Sequence, residues 1–242
     1  MTDVVAAPPL TRIPVRGADV ADGTFFPVRR VYCVGRNFAE HAREMGAAVP
    51  TSAADRGRPV FFLKPHDAIE LGEEVPYPPG TGDLHHEVEL VVAIGRDAPS
   101  GELAAADAAA LIYGYAVGLD LTRRDLQAQA KAKGLPWDTG KAFDHAAPVS
   151  AIVPAADVGP LGARALSLEV NGELRQRGSL DDLVWNVEEI LHELSRLYAL
   201  RAGDLVYMGT PSGVGPLQPG DRYRATLEGV AELHGRITPA RA

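Results

Sequence analysis

Two carboxylates stand at the start of an apolar run in residues 83–92, whose sequence is DLHHEVELVV. On a β-strand, side chains two positions apart point to the same face. We therefore expect Glu87 and Glu89 to lie side by side, with apolar side chains on the opposite, buried face. Burying an unpaired carboxylate costs more free energy than a short strand gains from its leucine and valine side chains. The stretch predicts that a cation or a proton lies between the two carboxylates.

The composition favours one large globular domain and excludes several classes of protein. Of the 242 residues, 46% are hydrophobic and 23% are charged, which is ordinary for a soluble domain. The net charge of −8 and the lack of a Lys/Arg-rich block argue against a nucleic-acid partner. The single cysteine, Cys33, excludes an internal disulfide bond and a cysteine-rich metal site.

No membrane partner is expected, because no segment approaches the ~18 consecutive apolar residues of a membrane helix. The first fifteen residues, MTDVVAAPPLTRIPV, lack the basic and apolar regions of a signal peptide. The expected location is therefore the cytoplasm.

The pattern of turn residues and apolar runs predicts many short strands and few helices. Residues 1–28 are expected to form an irregular leader with room for two strands, and residues 29–242 a single domain. Asn171-Gly172 predicts a hairpin, and Thr122 is expected to cap a helix that Gly134 ends. Strands are predicted at 31–35, 60–65, 87–95 and 115–121, with those at 60–65 and 115–121 expected to be buried. Helices are predicted at 37–46, 100–114, 122–133 and 179–200. The result is a β-dominated α+β fold.

A third carboxylate, Asp120, ends the strand predicted at 115–121. If that strand lies near the one that carries Glu87 and Glu89, three carboxylates converge. Three hard oxygen ligands suit Mg²⁺, Mn²⁺ or Ca²⁺ better than zinc. The alternative is that the glutamate pair faces solvent at a sheet edge and that Asp120 merely precedes a helix.

His41 and Glu44 are three residues apart on the predicted helix 37–46, so they are neighbours on one face. A carboxylate beside an imidazole raises its basicity, which is what a general base for water needs. The alternative is an ordinary surface pair, which is the commoner arrangement for two such residues taken alone.

Two further segments carry groups suited to an anion. Lys141, in WDTGKAFDHAAP, is flanked by a glycine and an aromatic residue, so it can be partly desolvated and held against an anion; the alternative is an exposed loop lysine. The stretch MGTPSGVG offers backbone N–H groups and the Thr210 hydroxyl to a carboxylate or phosphate. It lacks the ending of a nucleotide P-loop.

His85 and His86 are candidate metal ligands, although a turn or supporting role is commoner for paired histidines at a strand start.

Six stretches between about residues 31 and 220 occur in the order seen in the fumarylacetoacetate hydrolase family, which the chain resembles. They are GRNFAEHAREMG, FFLKP, GDLHHEVELVVAIG, YAVGLDLTRRDLQ, PWDTGKAFDHAAP and GDLVYMGTPSGVG. Within the family the chain looks most like the members that hydrolyse fumarylpyruvate in gentisate degradation, with the acylpyruvases next. Phe38, where many relatives have tyrosine, is a departure that removes a hydroxyl.

The resemblance implies a mixed β-roll or β-sandwich fold, a homodimer and a lid at about residues 37–59. It implies a divalent cation, Mg²⁺ or Mn²⁺ with Ca²⁺ as a further option, held by Glu87, Glu89 and Asp120. It also implies that catalysis involves His41, Glu44 and Lys141. The substrate-binding residues that it implies are Arg36, Arg124, Gln127 and Thr210.

The implied reaction is the metal-dependent hydrolysis of the C–C bond of a 2,4-diketo acid, above all of fumarylpyruvate to fumarate and pyruvate. Acylpyruvate hydrolysis and oxaloacetate decarboxylation are alternatives on the same site, because both pass through the enolate of pyruvate. Decarboxylation needs no hydrolytic water, so His41 and Glu44 favour hydrolysis. A non-catalytic cation-binding module is the alternative of another class, and it leaves His41, Glu44 and Lys141 without a role.

Overall fold

The structure is a computed structural model that describes residues 4–44 and 53–240. The strands within these residues are β1 (Arg12–Pro14), β2 (Phe25–Pro27), β3 (Val31–Gly35), β4 (Val60–Lys64), β5 (Ile69–Glu70), β6 (Glu74–Pro76), β7 (Leu84–His86), β8 (Val88–Ile94), β9 (Ile112–Leu119), β10 (Thr122–Arg123), β11 (Ala147–Pro148), β12 (Val153–Pro154), β13 (Ala165–Val170), β14 (Glu173–Ser179), β15 (Leu205–Tyr207), β16 (Gly215–Leu217), β17 (Arg222–Leu227) and β18 (Ala231–Thr238).

The α-helices of the described residues are short: α1 (Ala39–Glu44), α2 (Arg124–Lys133), α3 (Asp138–Lys141), α4 (Ala155–Val158) and α5 (Val187–Ser195). Single 3₁₀ turns or helices lie at Ala53–Arg56, His66–Ala68, Ala105–Leu111 and Leu180–Asp182. The predicted β-dominated α+β fold is confirmed. None of the described helices is long and apolar enough to cross a membrane.

A six-stranded sheet, in the order β12-β9-β8-β15-β3-β4, forms the centre of the molecule. Strand β15 is parallel to β3, and the other neighbours are antiparallel. Every residue of β8 is buried, so this strand has two buried faces where the sequence predicted one. Leu90 packs in a cluster with the five-stranded sheet β14-β13-β17-β18-β6, and Val91 packs in a second cluster with the β1–β2 hairpin.

The N-terminal strands β1 and β2 form an antiparallel pair whose Ile13 and Phe26 are buried in the second cluster. The division into a leader of residues 1–28 and a domain of residues 29–242 stays a prediction. The predicted hairpin at Asn171-Gly172 is confirmed, since it joins β13 to β14. Both turn residues have positive φ, 55° and 81°, which Asn and Gly adopt at little cost.

Two predicted elements differ from the structure because of tertiary contacts. Thr122 does not cap α2: it lies in β10, and its hydroxyl donates to the Asp120 carbonyl oxygen and accepts from Lys141. Gly134, with φ of 64°, ends the helix as predicted. Strand β4 lies at the edge of its sheet, so Leu63 is 40% exposed rather than buried.

Two predicted helices are shorter than expected. The segment at 100–114 forms only a 3₁₀ helix over Ala105–Leu111. The long helix predicted at 179–200 begins at Val187, because Asn186 caps it and exchanges hydrogen bonds with Glu189.

Candidate active site

Three buried carboxylates, called here the acidic cluster, meet where β8 begins and β9 ends. These strands are antiparallel neighbours, with Val88 opposite Leu119, so Glu87 just before β8 lies beside Asp120 just after β9. The Asp120 N–H donates to the Glu87 carbonyl oxygen at 2.8 Å. Glu89 completes the cluster, and carboxylate oxygens of the three residues lie within 4.8 Å of one another. The structure thus brings together the three residues predicted as metal ligands.

Lys141, at the end of α3, supplies positive charge to the acidic cluster. Its Nζ donates to Glu87 Oε2 at 2.8 Å, to Asp120 Oδ2 at 2.6 Å and to Thr122 Oγ1 at 2.7 Å. An ammonium has three N–H groups, so these three bonds use all of its donors. Burial opposes the charge, but Asp120 and Glu87 outweigh burial and raise the pKa of Lys141. The side chain therefore stays protonated at neutral pH.

The two glutamates of the acidic cluster differ in their electrostatic surroundings. Burial opposes the ionisation of Glu87, but Lys141 and Arg124 outweigh burial and hold its pKa well below the usual value. Burial also raises the pKa of Glu89, and repulsion from Asp120 and Glu87 adds to the effect. Within the described residues, Glu89 has no ion pair of its own. Lys141, Arg124 and Lys64 thus pair with Glu87 and Asp120, and Glu89 is the member of the cluster that lacks a paired cation among the described residues.

The atoms of the acidic cluster fit a divalent cation. Carboxylate oxygens are the ligands that Mg²⁺ and Mn²⁺ favour. Asp120 Oδ1 is buried and accepts no hydrogen bond from the described residues, although Lys64 Nζ lies 2.8 Å away. A buried acceptor without a hydrogen bond is rare in proteins. Together with the uncompensated Glu89, this oxygen indicates where a cation would bind.

His41 lines the same cavity as the acidic cluster. Its Nδ1 is 3.3 Å from Glu44 Oε2. An ionised carboxylate only accepts hydrogen bonds, so Nδ1 carries the proton and Nε2 is left as an acceptor. Burial lowers the pKa of His41, and the nearby Glu87 and Glu44 offset this only in part. His41 is therefore neutral at pH 7 and able to accept a proton.

Glu44 lies behind His41 and is not among the residues that line the cavity. Its side chain is 39% exposed, and it accepts a hydrogen bond from the Gly213 N–H at 3.2 Å. Glu44 can therefore act on a substrate only through His41. The same hydrogen bond joins α1 to the glycine-rich loop that follows β15.

All four residues predicted to bind the substrate line the cavity, which has about 430 Å³ of empty space including its open mouth. Arg124 donates to Gln127 Oε1 at 2.6 Å and to Glu87 Oε1, so it links the acidic cluster to α2. Arg36 is exposed and has φ of 61°, a conformation that costs a non-glycine residue free energy and is common at binding sites. Thr210 is buried beside the cluster.

Several residues of the site were not among those predicted from the sequence. Phe62 and Trp137 form an aromatic wall of the cavity, and Lys131 lies over Trp137 at 5.2 Å. Lys64 is fully buried, next to Asp120 and hydrogen bonded to the carbonyl oxygens of residues 121 and 141. The signal for Lys64 was present in FFLKP: a lysine inside an apolar strand needs a buried anion.

His85 and His86 are not part of the acidic cluster. His85 Nε2 is 2.9 Å from Asp83 Oδ1, and His86 Nδ1 is 2.9 Å from Gln176 Oε1. Both imidazoles therefore have supporting partners, in line with the commoner role for paired histidines.

The segment before α1 is anchored by Asn37, which is 1% exposed. Its Nδ2 donates to the carbonyl oxygens of Trp185 and Met208 at 3.0 and 2.8 Å, and its Oδ1 accepts from the Trp185 N–H at 2.8 Å. The predicted lid of residues 37–59 begins at this anchor. Residues 45–52 of the lid lie outside the described residues, so the lid stays a prediction.

Asn37→Ala is expected to lower the free energy of unfolding by about 3 kcal/mol, because it leaves buried backbone groups without partners. Urea denaturation measures the change. Gln129→Ala, at an exposed position of α2, is the control and should change stability by less than about 0.5 kcal/mol. A loss at Asn37 no greater than that of the control would contradict the anchoring role.

The chain is similar to known proteins over most of its length. Residues 30–238 match the family model described as fumarylacetoacetate (FAA) hydrolase C-terminal. A fumarylpyruvate hydrolase of Ralstonia sp is 46% identical over 193 residues, which cover 76% of this chain and 99% of the relative. An oxaloacetate tautomerase of Escherichia coli (strain K12) is 44% identical over 209 residues, which cover 84% of this chain and 90% of the relative.

Among solved structures, fumarylpyruvate hydrolase from Pseudomonas aeruginosa in complex with Mn²⁺ and pyruvate is 44% identical to this chain. The two superpose with a TM-score of 0.89, and the match covers 98% of this chain and 100% of the other.

Proposed function

Because this chain belongs to the fumarylacetoacetate hydrolase family, as its sequence motifs predicted, we propose that it hydrolyses the C–C bond of a 2,4-diketo acid, with fumarylpyruvate as the preferred substrate. One observation carries the proposal: a single cavity contains the acidic cluster and the neutral imidazole of His41. A cation site alone would serve a binding module. A positioned base beside it is the arrangement that catalysis requires.

The predicted cofactor, a divalent cation, is supported by the chemistry of the acidic cluster and by the related structure that contains Mn²⁺ and pyruvate. We assign its binding to Glu87, Glu89 and Asp120. When bound, such a cation supplies Lewis acidity to the keto and carboxylate oxygens of a substrate.

His41 and Glu44 activate the water in this proposal. His41 Nε2 accepts a proton from the water that attacks the distal carbonyl carbon, and Glu44 stabilises the resulting imidazolium through Nδ1–H. The lowered pKa of His41 keeps the imidazole unprotonated before the reaction. The same imidazolium can return a proton when the pyruvate enolate leaves.

Lys141 stabilises that enolate by its charge rather than by a spare hydrogen bond, since its three N–H groups already have acceptors. Its ammonium keeps Glu87 ionised and orients the carboxylates of both Glu87 and Asp120. Arg124 and Gln127, which are hydrogen bonded to each other, hold the substrate carboxylate in this proposal. Each of these groups is in position before the substrate arrives, which is the condition for electrostatic stabilisation of a transition state.

The charge of the cavity favours fumarylpyruvate over acylpyruvates with an uncharged acyl group. Arg36 and Lys131 both line the cavity. Burial lowers the pKa of Lys131, and repulsion from Arg124 and Arg36 adds to this effect, so the three cations lie within mutual range. A second carboxylate, as in the fumaryl group, would relieve that repulsion.

Oxaloacetate is the second candidate substrate, because the tautomerase of Escherichia coli and a mitochondrial oxaloacetate tautomerase of Bos taurus are 44% and 40% identical to this chain. Tautomerisation needs only the transfer of a proton, which His41 can accept and return. Decarboxylation of oxaloacetate passes through the same pyruvate enolate. The homodimer and the cytoplasmic location stay predictions.

Initial rates on fumarylpyruvate, acetylpyruvate and oxaloacetate, each with Mn²⁺, with Mg²⁺ and with a chelator, test the proposal. We expect kcat/KM for fumarylpyruvate to exceed that for acetylpyruvate by roughly tenfold to a hundredfold, the effect of one charged hydrogen bond. The chelator should abolish the reaction. Rapid enol–keto exchange of oxaloacetate with no cleavage of either diketo acid would instead favour the tautomerase.

A further inference from the structure

Gln176 lies on β14, outside the central sheet, yet its side chain reaches the candidate active site. It pairs with Leu168 of β13 and is 1% exposed, while its neighbours at 175 and 177 are exposed. Its amide makes four hydrogen bonds, and all four partners lie outside its own sheet. Gln176 therefore connects two segments of the site that are far apart in the sequence.

The orientation of the Gln176 amide is fixed by two backbone groups. The Val88 N–H donates at 3.1 Å to one end, which must be Oε1 because only oxygen accepts. The Pro211 carbonyl oxygen lies 2.8 Å from the other end, which must be Nε2 because a carbonyl oxygen cannot donate. His86 Nδ1 also donates to Oε1, at 2.9 Å. The amide cannot be flipped without breaking these bonds.

The fixed orientation determines how the Thr210 hydroxyl is used. Gln176 Nε2 donates its second hydrogen to Thr210 Oγ1 at 2.8 Å, so this oxygen is an acceptor there. A hydroxyl has one hydrogen of its own, and no acceptor among the described residues takes it. Thr210 is 2% exposed and lines the cavity that contains the acidic cluster. The unused hydrogen is therefore available to an oxygen inside this cavity.

We propose that Gln176 is a positioning residue that makes Thr210 a hydrogen-bond donor to a carboxylate or keto oxygen of the substrate. The inference rests on the proposed function, since it names how one side of that cavity recognises a 2-keto acid. Val88 lies between Glu87 and Glu89, so the same amide also ties the metal-binding strand to the loop that carries Thr210. Gln176 itself is not among the residues that line the cavity.

Gln176→Glu tests the inference because it keeps the shape and leaves at most one hydrogen at this end, which the Pro211 carbonyl oxygen takes, so that nothing donates to Thr210. The Thr210 hydroxyl would then turn its hydrogen towards residue 176 and away from the cavity. We expect the Mn²⁺-loaded variant to bind pyruvate roughly tenfold to a hundredfold more weakly in calorimetry, the effect of one hydrogen bond to a charged group. The Mn²⁺ affinity, titrated separately, should stay within about twofold of the wild type. Gln218→Glu places the same charge at an exposed position and should bind pyruvate normally.

Thr210 variants separate this mechanism from a purely structural role. Thr210→Val should lose pyruvate affinity by the same factor, and Thr210→Ser should retain it. Gln176→Glu combined with Thr210→Val should be no weaker than either single variant, because both remove one interaction. The sum of the two losses in the double variant, or full affinity in Thr210→Val, would overturn the inference even if Gln176→Glu failed to fold.

The remaining outcomes are also decisive. Parallel losses of Mn²⁺ and pyruvate affinity in Gln176→Glu would show that residue 176 acts on β8 rather than on Thr210, and would overturn the inference. Wild-type affinity for pyruvate in this variant would overturn it alone and leave the proposed function standing. A wild-type protein that binds no pyruvate in the presence of Mn²⁺ would overturn the proposed function and the inference together.

Discussion

Glu89→Ala is expected to remove Mn²⁺ binding and all measurable activity while the protein still folds. Glu89 contributes one of three carboxylates whose oxygens lie within 4.8 Å of one another, and the other two already accept hydrogen bonds from Lys141. Loss of a group that merely supports a metal ligand lowers affinity by roughly 10- to 100-fold. Loss of a ligand itself should lower Mn²⁺ affinity by at least about a hundredfold.

The fold should survive because Glu89 is an unfavourable residue without a cation. Burial raises its pKa, and repulsion from Asp120 and Glu87 adds to this, so removal of the carboxylate relieves repulsion in the core. The main loss is a partner for the Gly209 N–H, which donates to Glu89 Oε2 at 2.8 Å. We therefore expect the melting temperature of the metal-free variant to lie within a few degrees of the wild-type value, about the effect of 1 kcal/mol.

Thermal unfolding with and without Mn²⁺ measures both effects. A ligand that binds the folded state at 100 times its Kd adds about 2.7 kcal/mol of stability, so the wild-type protein should melt at a higher temperature with Mn²⁺. Glu89→Ala should show no such increase. Glu173→Ala, at a position whose side chain is 72% exposed, is the control and should respond like the wild type. A full Mn²⁺ response in Glu89→Ala would show that Glu89 is not a ligand.

The acidic cluster was predictable because two of its three residues are close together in the sequence. Glu87 and Glu89 are two residues apart, and strand geometry fixes their relation. Asp120 required one assumption, that the strands at 87–95 and 115–121 lie near each other. The structure pairs them directly, with Val88 opposite Leu119. Short-range periodicity and one correct strand pairing therefore account for the cluster.

Residues that depend on distant partners could not be predicted in the same way. The partners of Gln176 include His86, 90 positions away, and Thr210, 34 positions away, and its local sequence is that of an exposed strand. Thr122 has the local features of a helix cap, yet Lys141, 19 positions away, takes its hydroxyl. A tertiary hydrogen bond thus replaced a local one, and no periodicity indicates such an exchange.

The start of α5 shows a different limit, because two capping signals follow each other. Ser179 and Asp182 cap a single 3₁₀ turn, and Asn186 and Glu189 cap the helix itself. The apolar spacing continues across the break between them, so periodicity alone predicted one long helix. Residues 183–186 separate the two elements, and the backbone is extended at Leu183 and at Asn186, with ψ of 127° and 174°.

His41→Ala is expected to lower fumarylpyruvate hydrolysis by about 10²–10⁴-fold, which is the usual contribution of a positioned general base. The imidazole lines the cavity, and its Nε2 is free because Nδ1 donates to Glu44. Glu44→Gln should have a smaller effect in the same direction, because an amide oxygen can still accept from Nδ1–H but stabilises the imidazolium less. Mn²⁺ affinity should not change in either variant, since neither residue belongs to the acidic cluster.

Oxaloacetate decarboxylation separates enolate stabilisation from water activation, because it forms the same enolate without a hydrolytic water. His41→Ala should leave any decarboxylase activity within about tenfold of the wild-type rate, a barrier change of roughly 1.4 kcal/mol. Glu87→Ala should remove both activities, because it removes a proposed metal ligand and an acceptor of Lys141. Enolate stabilisation is common to the two reactions, whereas water activation belongs to hydrolysis alone.

Parallel kinetics of the two reactions in one set of variants therefore decide what His41 does. A selective loss of hydrolysis in His41→Ala assigns the imidazole to the water. Equal losses of both reactions would contradict that role, because α1 also contacts the loop after β15 through Glu44 and the Gly213 N–H. In that case His41 would act by holding α1 over the cavity. Two variants of Glu44 distinguish the two roles again. Glu44→Gln keeps an oxygen that can accept from the Gly213 N–H, so it should change hydrolysis alone. Glu44→Ala removes the contact to Gly213 and should change both reactions together if that contact holds α1 over the cavity.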